Sequence, residues 1–308
     1  MVVCQDLEIT QKFDASVLTI GSFDGLHMGH VSVIEQVLSI SRDKSIPSIV
    51  ISFNPHPKTV LKPKFETNNQ IISPENKIKL LKSLDIDYLW LIPFDATFSR
   101  ISAETFLSNY LVNYFNPVDI IIGYDHNFGK NQSGNAQFLL DKQREFGFLL
   151  HIVSPISINN QPISSTLIRN LLHKGDMKRA NTMLGREYEL TGTVVKGSQR
   201  GSSINFPTAN ILIDADKQLI PGIGVYCVDA YFDGKTIPGM CNIGKRPTYY
   251  EDGDLTIEVH LISDSSFELY GKKLTLYFKQ FIRDEMKYSS DDELVTQLHI
   301  DRNICLSL

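Results

Sequence analysis

The feature that most constrains the fold of this chain is a change of pattern part-way along it. Up to about residue 185, short apolar runs alternate with amphipathic stretches. Residues 16–20 (SVLTI), 48–53 (SIVISF), 88–92 (YLWLI) and 118–122 (VDIII) are short, continuous and rich in β-branched residues, as strands buried on both faces should be. Between them, Ile78, Leu80, Leu81 and Leu84 in 74–84 fall at helical spacing, as do Phe106, Leu107, Tyr110 and Leu111 in 103–114. Strand and helix in alternation predict an α/β domain, a parallel sheet with helices on both faces. Ligands of such sheets sit outside the carboxyl ends of the strands. After residue 185 the runs 224–232 (GVYCVDAYF), 256–261 (TIEVHL) and 273–278 (KLTLYF) are separated by turn clusters such as Asp233-Gly234 and Tyr270-Gly271. Helical spacing returns only at 291–300. This half predicts a small antiparallel β-barrel with a C-terminal helix. The boundary is expected near Gly185-Arg186, after a helical stretch over 164–184, which gives domains 1–185 and 186–308.

A length of 308 residues agrees with two domains, because a single core stops growing at roughly 250–300 residues. The charge balance, 30 basic against 35 acidic residues for a net −5, argues against a nucleic-acid-coating protein. It leaves room for small anions held by a few local groups. Cys4, Cys227, Cys241 and Cys305 have no spacing of a zinc knuckle or redox pair, so four reduced thiols are expected. The opening MVVCQDLEITQKF carries charge where a signal peptide needs an apolar core, and no apolar run approaches the ~18–20 residues of a membrane span. A cytoplasmic protein without membrane or nucleic-acid partners is expected, as a monomer or weak homo-oligomer.

The segment Gly21-Ser22-Phe23-Asp24-Gly25-Leu26-His27-Met28-Gly29-His30 follows the first strand and opens a helix. Gly21 and Gly25 permit a tight turn that brings backbone amides close to a ligand, and the helix N-terminus beyond is a ready phosphate site. His27 and His30, three apart, face one side of that turn and can stabilise charge building on a phosphoryl group. Asn54 and His56 close the second strand, and the turn Gly123-Tyr124-Asp125-His126-Asn127-Phe128-Gly129 closes another. Ser165 and Thr166 open a later helix, where a plain capping role would also account for them, and Arg169 follows on its first turn. A fork-shaped cation beside free amides suits pyrophosphate.

In the second half, the stretch Gly192-Thr193-Val194-Val195-Lys196-Gly197-Ser198-Gln199-Arg200-Gly201 is glycine-punctuated and basic, yet lacks the spacing of a phosphate-binding P-loop. An ordinary hairpin would account for it alone. Thr208 and Asn210, in Phe206-Pro207-Thr208-Ala209-Asn210, point the same way on an extended chain and offer hard oxygens suited to magnesium. Glu258 sits within an apolar strand. On the inner face of the barrel it is a general-base candidate, and on the outer face a plain strand glutamate.

GSFDGLHMGH together with SFNPHP, GYDHNFG and ISSTLIR resembles the adenylyltransferase module of the bifunctional riboflavin kinase/FAD synthetases, which has a Rossmann-like nucleotidyltransferase fold. FPTAN, Asn242-Ile243-Gly244-Lys245-Arg246-Pro247-Thr248, the IEVHL strand, Leu269-Tyr270-Gly271 and Phe281-Ile282-Arg283-Asp284-Glu285 resemble the riboflavin kinase module. The resemblance implies phosphorylation of riboflavin to FMN in the second half. It implies adenylylation of FMN by ATP to FAD, with release of pyrophosphate, in the first. It further implies that His27 and His30 stabilise the ATP phosphates beside Gly21, Phe23, Asp24 and Gly25, with Asn54 close to the reacting groups. Ser165, Thr166 and Arg169 would hold pyrophosphate, and Asp125, Asn127 and Phe128 would belong to the flavin side. For the kinase, Thr208 and Asn210 would organise Mg2+ and ATP, and Glu258 would activate the riboflavin hydroxyl. The loop with Gly192, Gly197, Arg200 and Gly201 would cover the phosphates, and Arg283 would neighbour the flavin. Two departures stand out. His126, Asn127 and Gln132 occupy positions where the family carries Phe, Arg and a second Arg, and Asn205 replaces a glycine before Phe206. Asparagine tolerates left-handed backbone, so the second turn is expected to survive. The first departure gives an alternative reading, a riboflavin kinase with weak or lost FAD synthetase activity.

Overall fold

The continuous apolar runs of the first half become the centre of a six-stranded parallel sheet. The strands are β1 (Val2–Cys4), β2 (Ser16–Ile20), β3 (Ser48–Asn54), β4 (Tyr88–Pro93), β5 (Pro117–Gly123) and β6 (Leu149–Val153), in the spatial order β1-β4-β3-β2-β5-β6. The structure is a computed structural model that describes residues 1–5, 12–61, 69–197, 204–213, 218–245, 255–263, 265 and 267–308. It divides into two units, Met1–Ser165 and Thr166–Leu308. Every residue of β2 is buried, as its unbroken apolar pattern requires. Helices α1 (Met28–Lys44), α2 (Pro57–Leu61), α3 (Pro74–Ser83), α4 (Ala103–Thr105, continued by a π-helix Phe106–Phe115) and α5 (Ala136–Phe146) flank the sheet. One buried cluster joins Ile20, Trp90, Phe106 and Phe115, and another joins Phe23, Ile34, Leu81 and Leu89. From β2 the chain pairs first with β3 on one side and later with β5 on the other. The carboxyl end of β2 is therefore the point where the winding reverses, the place where open α/β sheets bind ligands. At the opposite end, buried Asp119 of β5 binds Lys44 at the end of α1 and His151 of β6, the latter at 2.8 Å.

A two-stranded hairpin, β7 (Ser157–Ile158) and β8 (Gln161–Pro162), follows β6. In the second unit β9 (Tyr188–Val195), β10 (Ala209–Ile213), β11 (Gly224–Phe232), β12 (Lys235–Lys245), β13 (Leu255–Leu261) and β14 (Lys273–Arg283) close an antiparallel barrel in the order β10-β13-β12-β11-β14-β9. A C-terminal helix, Asp291–Leu306, is capped by Ser290, whose hydroxyl accepts the Glu293 amide. It covers an outer patch of the barrel made by Phe206, Cys227, Met240 and Ile262. Both fold classes expected from the two patterns are present.

Two details differ from the sequence reading, and the face of Glu258, which it left open, is the outer one. The helical stretch expected over 164–184 is two helices, α6 (Ser165–His173) and α7 (Met177–Leu184). Gly175 separates them with φ +72°, and a Cβ there would lie 2.9 Å from the Phe281 ring, so the break is fixed by packing on β14. Glu258 does not face into the barrel. Its neighbours Ile257 and Val259 fill the interior, and strand alternation sends Glu258 outward, to the face shared by Asn242 and His260. Finally, the cysteines are not all free thiols: Cys227 of β11 and Cys305 of the C-terminal helix form a disulfide. The partners are 78 residues apart, and no local spacing could announce a pair made by a helix docking on a strand.

Because this bond closes a long loop, Cys305→Ser is expected to destabilise the barrel unit by about 2–4 kcal/mol. Denaturant unfolding followed by circular dichroism checks this. The fluorescence of Trp90, the sole tryptophan and buried in the sheet unit, should keep its wild-type midpoint.

Candidate active sites

At the carboxyl end of β2 the chain turns sharply through Gly21–Leu26. Phe23 (φ 46°) and Leu26 (φ 41°) adopt left-handed backbone, and both side chains are buried beneath the turn. His27 caps α1, its Nδ1 accepting the His30 amide at 3.3 Å. The two imidazoles stack with centroids 3.6 Å apart. Burial, then the neighbouring His27, then Lys77 hold the His30 pKa well below the ordinary histidine value, so His30 is neutral at pH 7. Its Nδ1 is buried with no hydrogen-bond partner among the described residues. Asp24 is 1% exposed and accepts the Ile71 amide at 2.9 Å, bracing the turn against the segment before α3. Asn54 is exposed at the end of neighbouring β3, and His56 beyond it is buried with Nδ1 accepting the Lys58 amide.

Ser165 joins this turn directly, donating to the Asp24 carbonyl at 2.9 Å, while Thr166 and buried Arg169 follow on α6. The turn after β5 carries Asp125 and Asn127 exposed, with Asn127 donating to the Asp125 carbonyl. Phe128 points the other way, into the sheet core against Phe106 and Phe138. His126 is held neutral, its pKa lowered to about 4 by burial. It stacks on Phe128, with ring centroids 5.7 Å apart.

In the barrel, Asn210, Glu258 and Asn242 lie directly opposite one another across β10, β13 and β12, and so form one polar row on the outer face. Thr208 Oγ1 lies 3.5 Å from a Glu258 carboxylate oxygen. Asn242 donates to Glu285 at 3.1 Å. Gly192 has the carbonyl of Leu212 where a Cβ would stand, at 2.3 Å. At Gly197 a Cβ would fall 2.0 Å from Asn210 Nδ2, so the amide occupies space that only glycine leaves open. Arg200 and Gly201 lie outside the described residues. Asn205 takes φ 62°, the left-handed backbone expected of it. Beside the row a cavity of about 600 Å³ is lined by Asn205, Thr208, His260 and Tyr270, together with His299 and Arg302 of the C-terminal helix. Arg283 commits its fork to buried Asp301 of that helix, with Nε at 3.0 Å and Nη2 at 2.8 Å.

Two functional candidates escaped the sequence reading. His260, two residues after Glu258 and therefore on its face, bonds through Nδ1 to the Pro207 carbonyl at 2.9 Å, tying β13 to the FPTAN segment. Strand alternation could have found it. Lys77 of α3 is buried under the β2 turn, and no local pattern marks it.

Two family models match the chain in order, FAD synthetase over residues 9–167 and riboflavin kinase over 184–308. Proteins named bifunctional riboflavin kinase/FMN adenylyltransferase are 35% identical over 92% of this chain and 90% of their own in Listeria monocytogenes. In Bacillus subtilis the identity is 33%, over 96% and 92%. The chain belongs to the bifunctional riboflavin kinase/FMN adenylyltransferase family. A solved structure called a macrolide-efflux protein, from Streptococcus pneumoniae, superposes over 100% of both chains with a TM-score of 0.90 and 29% identity. No helix among the described residues is long and apolar enough to cross a membrane.

Gly197 offers a test of the polar row around Asn210. Gly197→Ala is expected to displace Asn210 and cut FMN formation by about ten-fold or more, as loss of a positioned group does. Conversion of supplied FMN to FAD should hold at the wild-type rate, and a coupled flavin product assay measures both.

Proposed function

We propose that the chain performs two ATP-dependent transfers in succession, riboflavin to FMN in the barrel unit and FMN to FAD in the sheet unit. What carries the reading is that each family match contains its own assembled polar site. One is the His27–His30 stack at the reversal point of the sheet, and the other is the Thr208–Glu258 pair beside Asn210. ATP, riboflavin and FMN are substrates, and FMN and FAD are products. No observation favours loss of adenylylation, since His126 keeps the aromatic packing of the loop.

In the kinase reaction Glu258 takes the proton of the riboflavin 5′-hydroxyl as that oxygen attacks the γ-phosphorus of ATP. The bond to the β,γ-bridging oxygen breaks, and ADP leaves. Thr208 and Asn210 present a hydroxyl and an amide oxygen beside the carboxylate, a hard-oxygen donor set that suits Mg2+. Bound there, Mg2+ would neutralise charge on the ATP phosphates. His260 holds the Pro207 carbonyl and thereby Thr208. Gly192 lies in β9 rather than in a loop and Gly197 follows that strand; both are assigned to the ATP phosphates, as are Arg200 and Gly201, on the resemblance. Arg283 holds the helix that forms one wall of the cavity, at the flavin side.

In the sheet unit an FMN phosphate oxygen attacks the α-phosphorus of ATP, and the bond to pyrophosphate breaks. No covalent intermediate is required. Because His27 accepts a backbone amide at Nδ1, its neutral ring carries the proton on Nε2 and can donate to a phosphate. His30 gains a proton as anionic phosphates approach and offset its burial. Gly21, Phe23, Asp24 and Gly25 shape the turn, and Asn54 borders it from β3. Ser165, Thr166 and Arg169 receive pyrophosphate, and Asp125, Asn127 and Phe128 frame the flavin side, with Phe128 acting from the core. We place the functional boundary at 185/186, where Gly185 ends α7 in a left-handed cap and the riboflavin kinase match begins. We place the protein in the cytoplasm, as a monomer or weak homo-oligomer, and its net charge of −5 fits action on small molecules rather than on nucleic acid.

Glu258→Gln should abolish FMN formation from riboflavin and spare FAD formation from FMN, and His30→Ala should do the reverse. Chromatography of flavins from the two variants decides. Loss of both activities in either folded variant would contradict two separate sites.

A further inference from the structure

Lysine is rarely buried without a carboxylate in hydrogen-bond contact, because the ammonium loses its water. Lys77, on the first turns of α3, is 4% exposed. Its ammonium donates to the Ser22 carbonyl at 2.9 Å and lies 3.5 Å from the Ser52 hydroxyl, which itself donates to the same carbonyl at 3.3 Å. The lysine thus ties the turn after β2, which leads to the His27–His30 stack, to strand β3, which ends at Asn54. The groups that act on it and on His30 are Asp24 and His27, both on the turn after β2. Asp24 favours the ammonium, but its Oδ1 accepts the Ile71 amide. Burial dominates and lowers the Lys77 pKa to about 8. Lys77 in turn opposes protonation of His30.

We propose that Lys77 is a positioning residue of the adenylyl-transfer site. Its buried ammonium anchors the Ser22 turn through the Ser22 carbonyl and sets a fixed positive charge behind it. Such a charge favours the polyphosphate. The inference rests on the proposed adenylyltransferase reading of this unit. A purely structural lysine would brace the turn equally well in any ionisation state, and this difference makes the roles separable.

The test uses the full chain as wild type, Lys77→Arg and Lys77→Met, following FAD formation from FMN and ATP over about pH 5.5 to 9.5. Riboflavin phosphorylation by the same preparations reports folding of the other unit, and Trp90 fluorescence reports folding of this one. Lys77→Met is expected to lose about ten-fold or more in kcat/KM for ATP. The wild type should show an alkaline fall near pH 8 as the ammonium deprotonates, and both Lys77→Met, uncharged throughout, and Lys77→Arg, charged throughout, should lack it. A Lys77→Met profile superimposable on wild type overturns the proposal, as does a loss of rate with the alkaline fall retained. If the wild type forms FMN but no FAD at any pH, the adenylyltransferase reading itself falls.

Discussion

Desolvation at the carboxyl end of β2 shapes the sheet unit. A fully buried strand must hand its chain to a helix at the point where the sheet reverses its winding, and the turn that does so places His30, Asp24 and Lys77 out of water together. Each polar group answers that burial differently. Asp24 takes a backbone amide, Lys77 takes a carbonyl, and His30 gives up its charge. What remains is a pair of stacked imidazoles at the start of α1 and a buried ammonium on the Ser22 carbonyl. Such an environment is poorly satisfied alone and well satisfied by an anion.

The barrel solves a different problem. A small closed barrel has its interior filled by residues such as Ile257, Val259 and Ile243. The polar row of Asn210, Glu258 and Asn242 runs across three strands on the outer face, and there we propose the kinase chemistry. The C-terminal helix turns that outer face into a cleft, and two devices hold it down: the Cys227–Cys305 disulfide and the Arg283–Asp301 fork. Arg283 is better understood through this clamp, since its donors point at the helix before any ligand.

Much of this was legible because the signals are local. Strand runs, the strand-to-helix turn with two histidines, and FPTAN each lie within a dozen residues, and the switch from one pattern to another divided the chain. The misses are non-local. The face of Glu258 depends on which side of the barrel is filled, which one strand cannot say. The disulfide and the burial of Lys77 depend on where a distant helix docks, and the break at Gly175 depends on Phe281, more than a hundred residues later. His260 is the exception, readable from alternation once Glu258 was singled out.

The central claim is that one chain moves two different phosphorus atoms of ATP at two sites. Incubating the intact protein with riboflavin and ATP labelled at either the γ- or the α-phosphate tests it directly. The account predicts γ-label in FMN, and one label of each origin in every FAD. FAD formed from riboflavin without γ-label, or flavin that never acquires α-label, would contradict it.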